Sequence, residues 1–299
     1  MRNQWTMVAS VLLLLWMLSL TLRQQQISPG WWERSQKLRQ RVRHTCTSFN
    51  VSSEVTQRHL RNIYVDDTRG VLYCSVHKVA SSTWKRVWLK MTSSTAAVSN
   101  TTTRHTIHLL TQPSMLVQPR FEDVWQDMLA SYRKFLFVRH PLRRVVSAYR
   151  DKLYAPSDME DMDISAHIKK TLTQKFGTSS THTKDDVVSF ADYIRLITHQ
   201  EDDEDISWDG HWRPIHQMCN PCGIDYDFIG KFENLHEDMN HVLQWLGVDK
   251  IVRELPVPMK NTGADHLASF YLKNLSSSLR KSFLAHYFLD YLSFEYEFI

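Results

Sequence analysis

Three short runs of apolar residues along this chain have the composition of buried β-strands. They are residues 71–76, 135–138 and 228–232. Continuous runs of this kind, rich in Val, Ile, Phe and Tyr, are typical of strands that are covered on both faces. The pattern therefore predicts three buried strands.

A helical pattern follows each predicted strand. Apolar residues recur at intervals of three and four positions, which is the spacing of one face of an α-helix. Strand–helix pairs in succession build parallel sheets, so we expect an α/β fold with a P-loop-like parallel, doubly wound sheet flanked by helices. The apolar positions are Trp84, Val87, Trp88 and Met91; Leu142, Val145, Val146, Tyr149 and Leu153; and Leu235, Met239, Val242 and Leu246.

Several residues mark where the helices begin and end. Pro141 suits the first position of a helix, where a missing N–H costs nothing. Ser189 is a candidate N-cap, and Asn234 with Glu237 three residues later resembles a capping box. Gly247 follows the last apolar position of its helix and predicts the helix end.

The segments between these pairs are less informative. We expect a helix and a turn over residues 58–67, an exposed loop over residues 92–106, and a loop, a short helix and another loop over residues 154–189. The C-terminal residues 265–299 show two helical patterns, with Leu267, Phe270 and Tyr271 in the first and Leu279, Phe283 and Tyr287 in the second. We expect the aromatic residues of both helices to lie in the core.

An uncharged apolar run, residues 7–22, lies between Arg2 and Arg23. It is slightly shorter than the ~20 residues of a membrane-spanning helix, although Trp5 and flanking residues extend it. A cleaved signal peptide is the alternative, but no small-x-small cleavage site follows. We expect an uncleaved signal anchor, and the charge bias alone does not set its orientation. Residues 24–44 are polar and basic, as in a solvated helix.

Composition and charge narrow the class of protein. The 299 residues are 42% hydrophobic and 23% charged, which fits one large globular domain. The net charge of +4 is compatible with acidic substrates. No dense stripe of Lys and Arg alternates with aromatic residues, so nucleic acid is not an expected partner.

Glycosylation sequons and cysteines indicate the compartment. The sequons at Asn50, Asn100 and Asn274 support a lumenal body. In an oxidising lumen, four cysteines can form two disulfides, whose connectivity the spacing leaves open. The cysteines are Cys46, Cys74, Cys219 and Cys222.

Residues 77–83, HKVASST, join the first predicted strand to its helix. A strand–turn–helix unit directs backbone N–H groups and the positive end of the helix dipole at one point, which suits a phosphate. Lys78 adds a mobile positive charge, and the serine and threonine hydroxyls add hydrogen-bond donors. The loop G-x-x-x-x-G-K-[ST] is absent, so an ordinary ATP or GTP site is not expected. A structural turn with a surface lysine is the alternative.

The stretch VHKVASSTWKRV resembles the 5′-phosphosulfate loop of the Golgi carbohydrate sulfotransferases, in the branch of chondroitin, dermatan and N-acetylgalactosamine 4-O-sulfotransferases. The family form is close to V-P-K-V-[AG]-C-[TS]-N-W-K-R. This chain has His77, Ser81 and Thr83 in place of the proline, the cysteine and the asparagine. The lysine and the hydroxyl donors are kept.

A second motif, FLFVRHPLRRVVSAYRDKL, follows at residues 135–153. Arg139 lies at the end of a strand, and Arg143, Ser147 and Arg150 share the polar face of the next helix. Open α/β sheets bind ligands at the carboxyl ends of their strands, and arginines there can clamp a phosphate. The motif resembles the 3′-phosphate motif of the same family, with Arg139 and Ser147 at the phosphate-binding positions. An amphipathic helix with a solvated basic face is the alternative.

The third motif, HWRPIHQMCNPCGIDYDFIGKF at residues 211–232, matches the same branch. Its two histidines, His211 and His216, and the pair Cys219 and Cys222 also fit a zinc site. In a lumen a disulfide is the stronger expectation. Histidine is the usual base for a hydroxyl near neutral pH, so we predict His211 as the general base. A structural histidine packed beside Trp212 is the alternative.

The resemblance runs from about Tyr73 to the C-terminus and implies a type II Golgi membrane enzyme. This enzyme moves a sulfuryl group from 3′-phosphoadenosine 5′-phosphosulfate to a hydroxyl of an acidic glycan or glycoprotein, with no metal. The expected target is the 4-O position of N-acetylgalactosamine in chondroitin- or dermatan-type chains. The expected organisation is a cytoplasmic tail at residues 1–6, the anchor at 7–22, a stem at 23–60 and a lumenal sulfotransferase domain at 61–299.

The chemistry of this reaction assigns an expected role to each residue. Lys78 contacts the bridging oxygen and the 5′-phosphate, and Arg139 and Ser147 bind the 3′-phosphate. His211 takes the acceptor proton. The 5′-phosphate is held by the backbone N–H groups of residues 80–83 and by the Ser82 and Thr83 hydroxyls. The residues expected at this site, in the turn and at the first helical positions, are Val79, Ala80, Ser81, Ser82, Thr83 and Trp84.

Two other functions stay open. The departures at His77, Ser81 and Thr83 suggest an inactive glycan-binding relative of the sulfotransferases. Another nucleotide-dependent transferase, such as a kinase, is disfavoured by the missing glycine-rich loop.

Overall fold

The computed structural model describes residues 29–92, 102–154, 156, 159–177, 187–199, 209–252 and 264–298. The predicted tail at residues 1–6, the predicted anchor at residues 7–22 and the sequon at Asn100 lie outside these residues. Across the described segments, no helix combines the length and the apolar character needed to cross a membrane.

A four-stranded sheet forms the centre of the fold, with the strands in the order β1-β2-β3-β4. β2, β3 and β4 are parallel, and β1 runs antiparallel to β2. The three predicted strands and their parallel pairing are confirmed. The expected helix and turn over residues 58–67 are partly wrong, because this segment also contains β1. The strands are β1 Ile63–Asp66, β2 Val71–Cys74, β3 Arg133–Val138 and β4 Phe228–Lys231.

Twelve α-helices surround the sheet within the described segments. The sixth continues directly into a π-helical turn, Arg150–Tyr154. The helices are α1 Pro29–Ser48, α2 Gln57–Leu60, α3 Ser81–Thr92, α4 Arg104–Thr111, α5 Trp125–Ser131, α6 Pro141–Tyr149, α7 Met159–Phe176, α8 Phe190–Thr198, α9 Ile215–Cys219, α10 Leu235–Leu246, α11 Ala264–Lys273 and α12 Ser277–Ser293. Short 3₁₀ turns are Gln112–Ser114, Pro119–Phe121 and Phe232–Asn234.

Most of the predicted helix ends are confirmed. Pro141 opens α6, and the Ser189 hydroxyl accepts the backbone N–H of Asp192 at 3.0 Å. Gly247 ends α10 with a left-handed φ of 73°. Asn234 occupies the N-cap position of α10, but the predicted capping bond is wrong, since a 3₁₀ turn runs into the helix and the Asn234 side chain makes no capping bond. The short helix expected within residues 154–189 is in fact the 18-residue α7.

Aromatic side chains fill the space between α3 and the sheet. Trp84 is fully buried, and its ring centroid lies 5.0 Å from that of Phe135 and 5.3 Å from that of Phe137. Tyr73 of β2 stacks on Phe135 of β3 at 4.9 Å. Burial of such rings contributes several kcal/mol each, about 3–5 kcal/mol by the cost of their removal. The packing anchors the N-terminal end of α3 directly behind the loop that carries Lys78.

The helix α1 packs on the sheet. Trp31, Leu38 and Val42 are buried in the same core, and the Ser35 hydroxyl accepts the backbone N–H of Ile229 at 2.8 Å. The expectation of a solvated helix is therefore wrong for residues 29–44, the described part of the segment at residues 24–44. This part of the predicted stem covers β4, whose outer edge would otherwise present unpaired backbone groups.

Two disulfides connect the third motif to the rest of the fold. Cys46 of α1 is bonded to Cys222, and Cys74 at the end of β2 is bonded to Cys219. The pairing left open by the sequence is thereby assigned. Because both cysteines of the C-x₂-C pair are used, no thiolate is left there for zinc.

A second core lies among α6, α8, α11 and α12. Trp212 is buried in it, as are Phe283, Tyr287 and Tyr291 of the C-terminal helix. The expectation that the C-terminal aromatic residues are core is confirmed for these, but Phe270 is wrong, with 59% of its surface exposed.

Candidate active site

The loop between β2 and α3 adopts an uncommon backbone conformation. Lys78 and Ala80 have φ angles of 66° and 57°, in the left-handed region that residues with a β-carbon avoid. Each such residue costs of order 1 kcal/mol and persists only where its surroundings hold it. Turns that alternate left- and right-handed residues direct successive N–H groups into a concave surface that binds anions. The loop geometry thus favours the predicted phosphate site.

Two buried arginines of the second motif hold this loop. Arg139 Nη1 donates to the carbonyl oxygen of Lys78 at 3.0 Å, and Arg144 Nε donates to that of His77 at 2.9 Å. Two successive carbonyls of the loop are therefore fixed by the segment that joins β3 to α6. This anchoring is the physical reason why Lys78 can keep a strained backbone.

The Lys78 side chain points towards the π-helical turn. Its Nζ lies 2.9 Å from Oδ2 of Asp151, and both side chains are partly exposed. π-Helical turns are rare and are frequently found at functional sites. Asp151 holds the ammonium beside the end of α6, which is the helix that carries Ser147.

The first turn of α3 offers a mixture of buried and accessible groups. The side chains of Val79, Ser81 and Trp84 are buried. Ser82 and Thr83 are half-buried, with hydroxyls near the helix N-terminus. The first N–H groups of a helix lack intrahelical partners. The predicted roles of the Ser82 and Thr83 hydroxyls are therefore compatible with their exposure.

Arg139 and Ser147 are both buried, with 5% and 3% of their surfaces exposed. The Arg139 guanidinium also lies 4.1 Å from the ring centroid of Phe232. An anion at this depth is largely desolvated, which strengthens its attraction to a guanidinium. The alternative of a solvated polar face on α6 is wrong, since Arg143 is half-buried and most of the helix is buried.

His211 is held by Asp209. Nδ1 of the His211 ring and the His211 backbone nitrogen each lie 2.7 Å from Oδ1 of Asp209. Burial raises the pKa of Asp209, but the charge and hydrogen bonds of His211 outweigh it and lower the pKa below 3.8. An ionised carboxylate only accepts hydrogen bonds, so Nδ1 carries the proton and Nε2 of the neutral ring is the basic nitrogen.

A second imidazole packs against the first. The ring centroids of His77 and His211 lie 4.6 Å apart. Burial is the main cause that lowers the pKa of His77 well below its usual range, and the nearby His211, Lys85, His108 and Arg144 lower it further. His77 is therefore neutral, and of the two imidazoles His211 has the carboxylate partner.

Arg144 joins the loop of the first motif to the third motif. Besides the His77 carbonyl, its guanidinium donates to the carbonyl oxygens of Gly210 and Arg213, each at 2.6 Å. Only 1% of the Arg144 surface is exposed. The three predicted motifs thus converge, and Arg144 is the residue that links the turn of Lys78 to the turn of His211.

Three residues of this arrangement had no predicted role. Arg144 and Asp151 belong to the second motif. Helical periodicity does not predict which carbonyl groups Arg144 contacts, or that Asp151 contacts the Lys78 ammonium. Asp209 precedes Gly210 in an Asp-Gly pair, a turn signal that places the carboxylate near His211. That signal was present in the sequence and was missed.

The other candidate residues do not belong to the arrangement of Lys78, Arg139 and His211. His216 Nδ1 lies 2.9 Å from Oδ1 of Asp290, whose carboxylate also accepts the backbone N–H groups of Ile215 and His216. His216 thus has a structural role. Across the described residues, no set of three or more His, Cys, Asp or Glu is arranged to hold a metal ion. The sequon residues Asn50 and Asn274 are exposed.

Comparison with known proteins supports the resemblance to sulfotransferases. A family model described as the sulfotransferase family matches residues 61–297. The chain is 30% identical to carbohydrate sulfotransferase 11 of Danio rerio over 267 residues, covering 87% of this chain and 75% of the relative. It is 31% identical to carbohydrate sulfotransferase 8 of Homo sapiens, covering 88% and 63%. With carbohydrate sulfotransferase 14 of Mus musculus the identity is 32%, covering 79% and 60%. No solved structure matches the chain.

Proposed function

Because this chain belongs to the sulfotransferase family, we propose that it transfers a sulfuryl group from 3′-phosphoadenosine 5′-phosphosulfate to a hydroxyl group of a glycan. The relatives it resembles are named carbohydrate sulfotransferases, which supports a carbohydrate acceptor. The observation that carries the proposal is the hydrogen bond from Arg139 to the Lys78 carbonyl, because it unites the two anion-binding motifs.

The residues of the loop fit the donor. When bound, the donor supplies a sulfuryl group attached to a phosphate leaving group. The left-handed turn at Lys78 and Ala80 and the N-terminus of α3 present N–H groups for the 5′-phosphate. Lys78 supplies the positive charge that stabilises the oxygen on which negative charge grows as the S–O bond breaks. Asp151 keeps the lysine at the end of α6 until that charge is present.

The 3′-phosphate belongs at Arg139 and Ser147 in this proposal. A guanidinium and a hydroxyl in a buried setting form charge-assisted hydrogen bonds to a phosphate. Selectivity for a donor with a 3′-phosphate over ADP-like nucleotides then follows, because only that donor places a phosphate against this guanidinium and hydroxyl.

His211 acts as the general base. Asp209 orients the ring and fixes the proton on Nδ1, so that Nε2 accepts the proton of the acceptor hydroxyl. As in other pairs of a histidine and a carboxylate, the carboxylate stabilises the imidazolium that forms and is not itself protonated. The acceptor oxygen bonds to sulfur while the bridging S–O bond breaks, and orientation by the protein carries much of the acceleration.

The finer assignment is the 4-O position of N-acetylgalactosamine in chondroitin- or dermatan-type chains, at the lumenal face of the Golgi. The names of the relatives support a carbohydrate acceptor, and the mildly basic net charge of +4 is compatible with an acidic one. The apolar run at residues 7–22, with residues 1–6 before it, serves as a type II signal anchor. The stem, in this proposal, ends before the lumenal domain at residues 61–299, and Asn50, Asn100 and Asn274 carry N-linked glycans.

A radiolabelled transfer assay tests the proposal. The full chain is incubated with ³⁵S-labelled donor and a panel of desulfated chondroitin, dermatan and terminal N-acetylgalactosamine glycans, and the sulfated position is identified by disaccharide analysis. We expect label on N-acetylgalactosamine, and about 10²–10⁴-fold less turnover for His211→Ala with donor affinity preserved. Donor binding without transfer to any acceptor would identify an inactive glycan-binding relative instead.

A further inference from the structure

The residue before the loop lysine is the starting point. His77 occupies the place at which the related loop form has a proline, and its side chain is directed at the third motif. Its ring lies 4.6 Å, centroid to centroid, from the ring of His211. Nδ1 of His77 is buried and has no hydrogen-bond partner. A polar ring nitrogen that gains no hydrogen bond is retained at a cost, so the ring must serve through its shape and position.

The backbone opposite His77 is matched to this ring. A β-carbon added at Gly210 would lie 2.6 Å from Nδ1 and 3.0 Å from Cε1 of His77. Real contacts of this type do not occur, so any side chain at residue 210 displaces the imidazole. Gly210 directly precedes His211 and follows Asp209, the residue that orients the His211 ring. The glycine is therefore required by the histidine at residue 77.

The same two backbone segments are joined by one side chain. Arg144 donates to the carbonyl oxygen of His77 at 2.9 Å and to that of Gly210 at 2.6 Å. The guanidinium fixes the distance between the two segments from one side, and the His77 ring fills the space between them from the other. The Arg144 guanidinium and the His77 ring together set the position of the His211 ring relative to the Lys78 loop.

We propose that His77 is a positioning residue for the transfer reaction. Its neutral ring acts as a wedge, because it lies between the Lys78 loop and Gly210 and holds the His211 ring in position. This inference rests on the proposed function, in which His211 is the general base. It adds a residue pair, His77 and Gly210, that acts on the reaction only through His211.

The charges around His77 agree with a neutral wedge. The groups that face it are His211 of the third motif, Lys85 of α3, His108 of α4 and Arg144 of α6, and each opposes a proton on His77. Asp209, the carboxylate nearest this pair, is bound to His211. A neutral ring next to His211 supplies contact without repelling the proton that His211 takes from the acceptor.

A double-mutant cycle tests the wedge. Gly210→Ala places a methyl group where the His77 ring lies, and His77→Ala removes that ring. Each single variant is expected to lower kcat about 10–100-fold through misplacement of His211, with the KM for the donor and the affinity for adenosine 3′,5′-bisphosphate unchanged. The double variant is expected to be no slower than His77→Ala alone, because the ring that the added methyl group would displace is then absent.

Controls separate positioning from folding. Gly30→Ala is the matched control, since its β-carbon would meet only Arg34 Nη1 at an ordinary 3.6 Å. His77→Phe retains a ring of similar shape and is expected to recover part of the lost kcat. The acid limb of the pH–rate profile, which reports the base, is expected to persist in His77→Ala and to vanish in His211→Ala.

The outcomes distinguish the two proposals. Multiplicative losses in the double variant, or loss of the acid limb in His77→Ala instead of His211→Ala, would overturn the positioning role. Wild-type kcat in both single variants would overturn it as well, while an inactive His211→Ala leaves the proposed function standing. Wild-type kcat in His211→Ala removes the base itself, and with it both the mechanism and the wedge.

Discussion

Arg139 and Lys78, 61 positions apart in the chain, are joined by a hydrogen bond of 3.0 Å from Nη1 to the carbonyl oxygen. One residue comes from the motif assigned to the 3′-phosphate and the other from the motif assigned to the 5′-phosphate. The contact makes the two motifs one structural unit, so a change in either affects the other.

Lys78→Ala is expected to lower transfer by at least about 10²–10³-fold, because the charge that stabilises the leaving oxygen is lost. The ion pair with Asp151 is partly exposed, so its loss has little effect on folding. The measurement is sulfate transfer together with circular dichroism. Lys37→Ala, at an exposed position of α1, is the control and should leave transfer unchanged. Near-normal turnover of Lys78→Ala would remove this lysine from the mechanism.

Arg139→Ala is expected to weaken binding of adenosine 3′,5′-bisphosphate by about 10–100-fold, since a charge-assisted hydrogen bond contributes about 1.5–3 kcal/mol. Adenosine 5′-monophosphate, which lacks the 3′-phosphate, should lose much less affinity. Isothermal titration calorimetry with both nucleotides measures the difference. Ser147→Ala should show the same selectivity with a smaller loss. Equal losses for both nucleotides would indicate that Arg139 acts only by holding the Lys78 carbonyl.

Arg144→Gln is expected to lower the free energy of unfolding by about 3 kcal/mol or more. Three carbonyls, the buried one of Arg213 and the half-buried ones of His77 and Gly210, lose a donor, and an unsatisfied buried group costs about 1–3 kcal/mol. Urea denaturation measures the loss. Arg143→Gln, at the half-buried neighbouring position, should cost about 1 kcal/mol or less. Equal losses in the two variants would contradict the linking role of Arg144.

The disulfide between Cys74 and Cys219 is expected to support the site as well as the fold. Replacing both cysteines by alanine should cost about 2–5 kcal/mol of unfolding free energy, as for other native disulfides. Cys74 lies three residues before His77, so kcat should also fall. The pair Cys46 and Cys222 is the comparison, since it ties α1 to the same segment farther from the loop. A larger kcat loss on removing that second pair would oppose this ordering.

Acid sensitivity should be reduced by replacing His286. Burial lowers the pKa of this histidine from 6.5 to about 4, so between these values the unfolded chain binds a proton that the native protein does not. Stability is then full above about pH 6.5 and falls as the pH drops towards 4. At pH 5 the unfolding free energy lost because of His286 is about 1–2 kcal/mol.

The measurement is the urea midpoint of the wild type and of His286→Phe at pH 7 and pH 5. The variant removes a buried Nε2 that has no partner, so its folding should tolerate the change. We expect a smaller drop in the midpoint between the two pH values for the variant. An identical drop in both proteins would assign the acid sensitivity to other groups.

Much of the fold could be predicted because its elements have local signatures. The strand before Lys78, the apolar face of Trp84 and Trp88, and the helix start at Pro141 each depend on residues within one or two turns. β1 was missed because its apolar run, residues 63–65, is only three residues long and leads directly into Asp66 and Asp67. The Asn234 cap failed because a 3₁₀ turn, which no local pattern announced, precedes α10.

The predicted site shows the same division. Lys78, Arg139 and His211 were singled out because their residue types fit the chemistry at those points of the strand–helix pairs. Arg144 was not singled out, because its role depends on the carbonyl groups of three residues, His77, Gly210 and Arg213. These residues are separated from Arg144 by 66 to 69 positions in the chain. The burial of Trp84 likewise depends on Phe135 and Phe137 of β3, which are about 50 positions away in the chain.

By itself, the sequence determined the kinds of elements, their order and the chemical types of the three motifs, because periodicity and turn residues act over short stretches of chain. Only the tertiary structure decided which cysteines pair, that α1 covers the sheet, and that Gly210 makes room for His77. These features arise from contacts between residues distant in the chain. Their energies come from packing and from hydrogen bonds that exist only after the segments have met.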